Sequence, residues 1–273
     1  MRPALRYHGG KWRIAPWIIS HFPEHRIYVE PFGGAASVLL RKPRAYAEVY
    51  NDLDGEIVNF FHVLRDRGEE LQHHLTLTPF ARAEFIEAYS PTGDPLIQAA
   101  RTVMKSFMGY GSDSIRRKSG FRADSRRSGT TPSHDWANYA DKLCEIVTRL
   151  SGIVIEQRPA LDVIGNKDTP ETLFYVDPPY LHSLRSAVST KAYRHEMTDK
   201  QHHELAEVLQ TAKGKVIVSG YPSDLYEGLY SGWHRVERAS LADGARPRTE
   251  VLWMNFMPAK ISLGLGANTK AAA

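Results

Sequence analysis

Four consecutive residues, Asp177-Pro178-Pro179-Tyr180, combine an acid, a rigid pair of carbonyls and an aromatic ring. The run before them, Thr172-Leu173-Phe174-Tyr175-Val176, is β-branched and aromatic and predicts a buried strand. Two prolines in a row cannot extend a hydrogen-bonded ladder, so the chain must leave the sheet there in a fixed extended shape. The carboxyl edge of an open α/β sheet is where ligands bind. An exocyclic amine on a base offers two hydrogens, and the Asp177 carboxylate with the Pro178 carbonyl can accept both. The Tyr180 ring can stack on the same base. A bare Asp-Pro-Pro fits a turn with a solvated acid equally well; Tyr180 and the motifs below weigh against that plainer reading.

The elements that must position these residues follow an α/β pattern interrupted once. Positions 26–32 predict a first strand, 35–40 a helix, 45–52 a second strand and 54–65 an amphipathic helix. From 71 to 150 the periodicity is helical, with no convincing strand. Strand signals resume at 153–156, 173–177 and 215–219, and again around 233–237 and 250–256. Strands alternating with helices imply a mostly parallel sheet with right-handed crossovers, and the helical middle is then an insertion.

Two further motifs fall at predicted strand ends. Val29-Glu30-Pro31-Phe32-Gly33-Gly34-Ala35-Ala36-Ser37 reads as strand, glycine turn and helix start, where backbone can approach a ligand closely and N–H groups are available to an anion. Alone, such a turn is ordinarily structural. Tyr50-Asn51-Asp52-Leu53-Asp54 puts an acid at the end of the second strand, where it can bind both ribose hydroxyls of an adenosine-containing cofactor. Asp52 follows the turn by one strand-helix-strand unit, close to the ~20 residues expected of such a pair. Asp54 suits a helix N-cap. A third motif, Tyr7-His8-Gly9-Gly10-Lys11, is not a P-loop, because the earlier glycine and the following Ser or Thr are missing and Trp12 stands there. Its lysine is placed to hold a carboxylate instead.

Composition sets wider bounds. The 273 residues suffice for one domain with an insertion or for two small domains, and 42% hydrophobic with 24% charged content is ordinary for a globular protein. The single cysteine, Cys144, excludes an intrachain disulfide, fits a reducing cytoplasm and reads as a small buried apolar residue on its helix. No apolar run after Met1 is long enough for a signal peptide, and none approaches a membrane span. Residues from 264 onward look like a disordered tail. His73-His74 and His202-His203 are adjacent pairs that diverge on a helix, and no cluster has metal-ligand spacing. Between 112 and 130, Arg116, Arg117, Lys118, Arg122, Arg126 and Arg127 face only Asp113 and Asp124, so this stretch holds the whole net charge of +4. It is either a phosphate-binding loop or a solvated linker.

Together the motifs resemble the D12 class of adenine-specific DNA methyltransferases, the Dam-like group of bacteria and phages. The order matches from about Tyr7 to Phe256: Tyr-x-Gly-Gly-Lys, Glu-Pro-Phe-Gly-Gly, Asn-Asp, a variable middle, Asp-Pro-Pro-Tyr, and a late Thr249-Glu250-Val251-Leu252-Trp253-Met254-Asn255. The resemblance implies a Rossmann-like methyltransferase core at 1–66 and 151–260, an inserted, mainly helical target-recognition subdomain at 67–150, and a disordered tail at 261–273. It implies S-adenosylmethionine (SAM) as methyl donor and no metal. Tyr7 and Lys11 would contact the methionine end of SAM, Phe32, Gly33 and Gly34 would shape its cleft, and Asp52 would hold the ribose. Asp177 would border SAM and, with Pro178, hold an adenine N6 amine, with Pro179 fixing the turn and Tyr180 under the base. The expected substrate is double-stranded DNA, methylated at a specific site by a monomer in a bacterial or phage-infected cytoplasm, as in restriction-modification. Cytosine N4 poses the same chemical problem and is the alternative target, with a non-catalytic SAM- and DNA-binding regulator as a further one. Two departures stand out: Ala36 where relatives often have glycine, read as an effect on helix packing, and Arg158-Pro159-Ala160 where an acid often lies near the cofactor adenine.

Overall fold

The computed structural model describes residues 1–124, 129–181, 194–241 and 247–258. Arg126, Arg127 and the tail expected at 261–273 lie outside the described residues. Among the described residues seven strands form one sheet, in the order β3-β2-β1-β4-β5-β7-β6. They are β1 (Ile27–Glu30), β2 (Ala47–Asn51), β3 (Ile153–Glu156), β4 (Thr172–Val176), β5 (Lys215–Gly220), β6 (His234–Leu241) and β7 (Pro247–Met254). β3, β2, β1, β4 and β5 are parallel, and β7 runs antiparallel to both β5 and β6. The chain moves from β1 to β2 and β3 on one side, then returns to place β4 on the other. β1 and β4 therefore flank a topological switch point, with Glu30 and Asp177 at its carboxyl edge.

The strands are covered on both faces, and their residue pattern shows why. All of Thr172–Val176 is buried, as a continuous apolar run in a parallel sheet requires. Alternate side chains enter different cores: Leu173 and Tyr175 join Tyr28 and Tyr50 on one face, while Phe174 and Val176 join Val29 and Val49 on the other. On the first face lie α1 (Ala15–Ile19) and α2 (Gly55–Asp66), the latter started by Asp54, whose carboxylate accepts the Glu56 N–H as expected. Residues 68–150 supply α3 (Gly68–Leu77), α4 (Arg82–Glu87), α5 (Pro95–Met108), α6 (Pro132–Ala137) and α7 (Leu143–Leu150). Among the described residues of this stretch the strand-like pairing is a single antiparallel bridge, Gly109 to Phe121. Phe107, Tyr139 and Leu143 of this helical middle share one continuous apolar cluster with the sheet residue Leu173. The opposite face is packed by α8 (Ala160–Lys167), α9 (Asp199–Gln210) and α10 (Asp224–Leu229). α9 opens with a reciprocal capping box between Thr198 and Gln201.

Two expectations are corrected. Residues 35–40 form successive turns, not a helix, because Gly34 (φ +48°) and Ala36 (φ +53°) are both left-handed. The Ala36 departure is thus a matter of backbone conformation, not helix packing: glycine adopts this angle freely, whereas alanine pays about 1–2 kcal/mol. Cys144 is exposed on α7, its thiol 3.3 Å from Gln72 Oε1, because it stands off the stripe formed by buried Leu143, Ile146 and Leu150.

Candidate active site

A cleft open to solvent lies along the carboxyl edge at the switch point. Tyr7, Lys11, Phe32, Gly33, Gly34, Asp52 and Asp177 all line it, and Pro179 does too. Residues separated by more than 160 positions are thereby brought to one surface.

The glycine turn after β1 is shaped by Tyr50 of β2. A Cβ on Gly33 would come within 2.2 Å of the Tyr50 ring, so only glycine lets the backbone lie on that ring. The Tyr50 hydroxyl donates to the Gly34 carbonyl at 2.7 Å. Asp52 then fixes the turn from the neighbouring strand end: Oδ2 accepts the Gly34 N–H and Oδ1 the Asp54 N–H, each at 2.8 Å. Burial raises the Asp52 carboxyl above its ordinary value, with those two N–H groups opposing the shift. Buried Asn51 joins three strand ends, donating to the Pro31 and Arg158 carbonyls at 2.8 and 2.9 Å while accepting the Arg158 N–H at 2.9 Å. Ala160, two residues beyond Arg158, also lines the cleft.

Lys11 holds a carboxylate, as its position suggested, and the carboxylate is Asp177. Its Nζ donates to both Asp177 oxygens at 2.8 Å, to the Gly9 carbonyl at 3.1 Å and to the Tyr180 hydroxyl. Ser219, at the end of β5, donates to Asp177 Oδ1 at 2.9 Å. The Tyr180 hydroxyl donates to Glu250 Oε1 at 2.9 Å. Pro178 is buried and stands outside the cleft wall. Tyr180, expected beneath a base, is only 7% exposed, with Lys11 Nζ 4.8 Å from its ring centre and the Tyr221 ring 4.5 Å away at 49°. At the cleft base, burial raises the Glu30 carboxyl to about 8 despite the Tyr28 hydroxyl donating to it at 2.6 Å.

The basic stretch is divided by the structure. Arg116 points into the cleft, donating to the Tyr7 hydroxyl at 2.6 Å and approaching Asp54 Oδ2 at 3.4 Å. Arg117 and Lys118 are exposed, with Arg117 4.0 Å from Asp113. Arg122 is half-buried and donates to the Phe107 carbonyl at 3.0 Å, drawing the loop onto the end of α5. Arg194 also converges on the cleft rim, 3.3 Å from Asp54 and 2.7 Å from Glu56, whose other oxygen is held by Lys105 of α5. Sequence reasoning gave no role to Ser219, Glu250 or Asn51 and missed the inward course of Arg116. The one available signal was a polar residue inside an apolar strand pattern, as at Ser219 and Glu250.

A switch-point cleft with Asp-Pro-Pro-Tyr at the end of β4 and an acid at the end of β2 fits a methyltransferase core. The family model for D12 class N6 adenine-specific DNA methyltransferases matches residues 7–242, and the chain belongs to that family. It is accordingly a DNA methyltransferase directed at adenine, and cytosine N4 falls away as the target. Comparison with curated proteins finds no match. Among solved structures, a precorrin 8w decarboxylase from Methanobacterium thermoautotrophicum is 9% identical, with 89% of this chain and 88% of that one covered, at a TM-score of 0.35. That likeness is too slight to bear on fold or function. No helix among the described residues is long and apolar enough to cross a membrane.

Proposed function

We propose that the chain methylates the N6 amine of an adenine turned out of duplex DNA, with SAM as donor in the cleft. The observation that carries this reading is that Asp177 stands in the wall of the same cleft as Asp52 and the glycine turn. The lining chemistry fits SAM. Asp52, Asp54, Asp177 and Glu196 outnumber Lys11 and Arg116, which suits a ligand bearing sulfonium and ammonium charges. Tyr7, Phe32, Gly33, Gly34 and Asp52 would hold the cofactor, and Lys11 would serve through its grip on Asp177. When bound, SAM supplies an activated methyl group needing neither acid nor metal.

What the protein adds is position and polarity. The N6 lone pair is delocalised into the base, so the amine is a poor nucleophile. Accepting both its hydrogens at Asp177 and the Pro178 carbonyl, which must first turn toward the cleft from its buried place, favours a tetrahedral nitrogen with a localised lone pair, a contact worth most in the transition state. Turning the base out costs a few kcal/mol, and stacking on Tyr180 offsets about 1–3 kcal/mol of it. For that stacking, Tyr221 must swing aside from the Tyr180 ring.

Residues 67–150 are then the target-recognition segment, with Arg117 and Lys118 on phosphates and Arg116 committed to the cleft. Replacing Arg117 and Lys118 by Ser weakens binding to all DNA sequences alike and lowers the salt slope by about 0.9 for each phosphate no longer neutralised. A filter-binding series across salt concentrations checks this; an unchanged slope makes the stretch a linker. Asp52→Ala raises the SAM dissociation constant roughly tenfold to a hundredfold, as for the removal of one or two hydrogen bonds to a charged group. Calorimetry with SAM tests this assignment, and unchanged affinity in a folded variant reduces Asp52 to a turn residue. Fluorescence of 2-aminopurine at the target position tests the flip: it rises on binding if the base leaves the stack.

A further inference from the structure

Glu250 is a buried acid to which methyl transfer at Asp177 assigns no task. β7 runs antiparallel to β5, so its amino half reaches the edge where the parallel strands end; Val251 pairs with Gly220, and Glu250 stands one position beyond. Its side chain is 4% exposed. Oε1 accepts the Tyr180 hydroxyl at 2.9 Å and lies 3.6 Å from Lys11 Nζ, the same ammonium that donates to both Asp177 oxygens. Two carboxylates thus share one buried cation, an arrangement with room for one more proton. Tyr175 and Tyr221 also face this group, while Arg238 of β6, its register partner, is exposed and Arg248 lies over the Tyr221 ring.

We propose that Glu250 is the terminal proton acceptor of methyl transfer, a positioning residue that acts through Tyr180, Lys11 and Asp177. The inference rests on the role proposed for Asp177 as acceptor of the amine hydrogen. As the amine nitrogen bonds the methyl carbon, the bond from that carbon to its donor breaks and the electron pair leaves with the donor. The nitrogen is then positively charged and must lose one of its hydrogens. That N–H bond breaks, its pair stays on nitrogen, and the proton goes to Asp177. The Tyr180 hydroxyl proton goes to Glu250, Lys11 gives one of its own to the Tyr180 oxygen, and the lone pair so freed on Lys11 takes the proton from Asp177. The net change is one proton moved from the amine to Glu250, leaving Asp177 ionised and Lys11 charged as before. Burial, opposed by Lys11, raises the Glu250 carboxyl to about 7, so it can hold a proton at neutral pH where an exposed glutamate cannot.

The test is single-turnover transfer of a labelled methyl group to DNA by the full chain, followed from about pH 6 to 9, where this acid would titrate. In the wild type the rate rises with pH as Glu250 becomes free to accept. Glu250→Gln lowers the plateau rate by about 10²-fold, the lower range for removal of an acid–base group, and flattens the profile. SAM and DNA affinities stay within a few-fold. Glu250→Asp restores the slope, and Tyr180→Phe, which keeps the ring but deletes the link, gives the flat profile again. A wild-type rate and profile in Glu250→Gln overturns the proposal, as does a loss of SAM affinity matching the loss of rate with the pH dependence unmoved. If Glu250→Gln does not fold, an unchanged pH profile in Tyr180→Phe has the same force. Asp177→Asn, run alongside, separates the two claims: turnover there defeats the role of Asp177, whereas its inactivity beside a normal Glu250→Gln defeats only this one.

Discussion

Asp177→Asn lowers the single-turnover rate of methyl transfer by at least about 10²–10³-fold, the scale of losing one preorganised polar contact to a transition state. DNA affinity stays within a few-fold of wild type, because no DNA phosphate contact is assigned to this residue. The carboxylate accepts two hydrogen bonds from Lys11 and one from Ser219, and in the proposed chemistry it must also accept a hydrogen from the amine. An ionised acid has about four lone-pair sites and can serve all of these donors. The amide has one oxygen and two N–H groups, one of which must face Lys11, Ser219 or the substrate as donor against donor. The loss falls mainly on kcat, with a smaller loss of SAM affinity from the misplaced Lys11. Rapid-quench measurement with saturating SAM checks it, and turnover within a few-fold of wild type removes Asp177 from the chemistry.

Glu48→Gln has the largest expected effect on the fold itself. Glu48 lies near the amino end of β2, with its side chain 3% exposed between Lys42 at 2.5 Å and Arg149 at 2.5 Å. Burial alone would raise its carboxyl, but hydrogen bonds from Arg149 and Lys42 bring it below the ordinary value. Arg149 also donates to the Leu39 carbonyl at 2.7 Å, so this ion cluster ties α7 to the turns after β1 and to β2. Removing the acid leaves two cations buried without a counter-charge, a change that costs about 3–5 kcal/mol. Because the folded carboxyl is depressed, its stabilising contribution is present above the unfolded value and lost as pH falls through the folded one. Denaturant titration at neutral pH shows the lower midpoint. Glu48 stands three residues before Asn51, roughly 10 Å from the catalytic edge at ~3.3 Å per residue, so the surviving folded fraction keeps its transfer rate.

The strands were legible because each announces itself locally. Thr172 to Val176 is apolar at nearly every position, and so is most of Lys215–Gly220. The proline pair, the glycine turn and the end of the second strand pattern mark where chain leaves the sheet, and they place Asp177, Gly33 and Asp52 on one edge. Pairings over long separations were not legible in the same way. Lys11 meets Asp177 across 166 positions, and Tyr180 meets Glu250 across 70, so neither pairing leaves a local signature. Arg116 could not be told from Arg117 by type, since only the packing against Tyr7 turns it inward. The helix expected after the glycine turn failed for a local reason: left-handed Ala36 cannot be foreseen from alanine, a strong helix former.

The central claim is tested most directly by incubating the purified full chain with unmodified bacterial DNA and methyl-labelled SAM, then digesting the product to nucleosides. The account predicts that all label appears as N6-methyl-2′-deoxyadenosine, and that modification sequencing places it at one short recurring sequence. Label in N4-methylcytosine, or no label from a folded protein that binds both SAM and DNA, would contradict it.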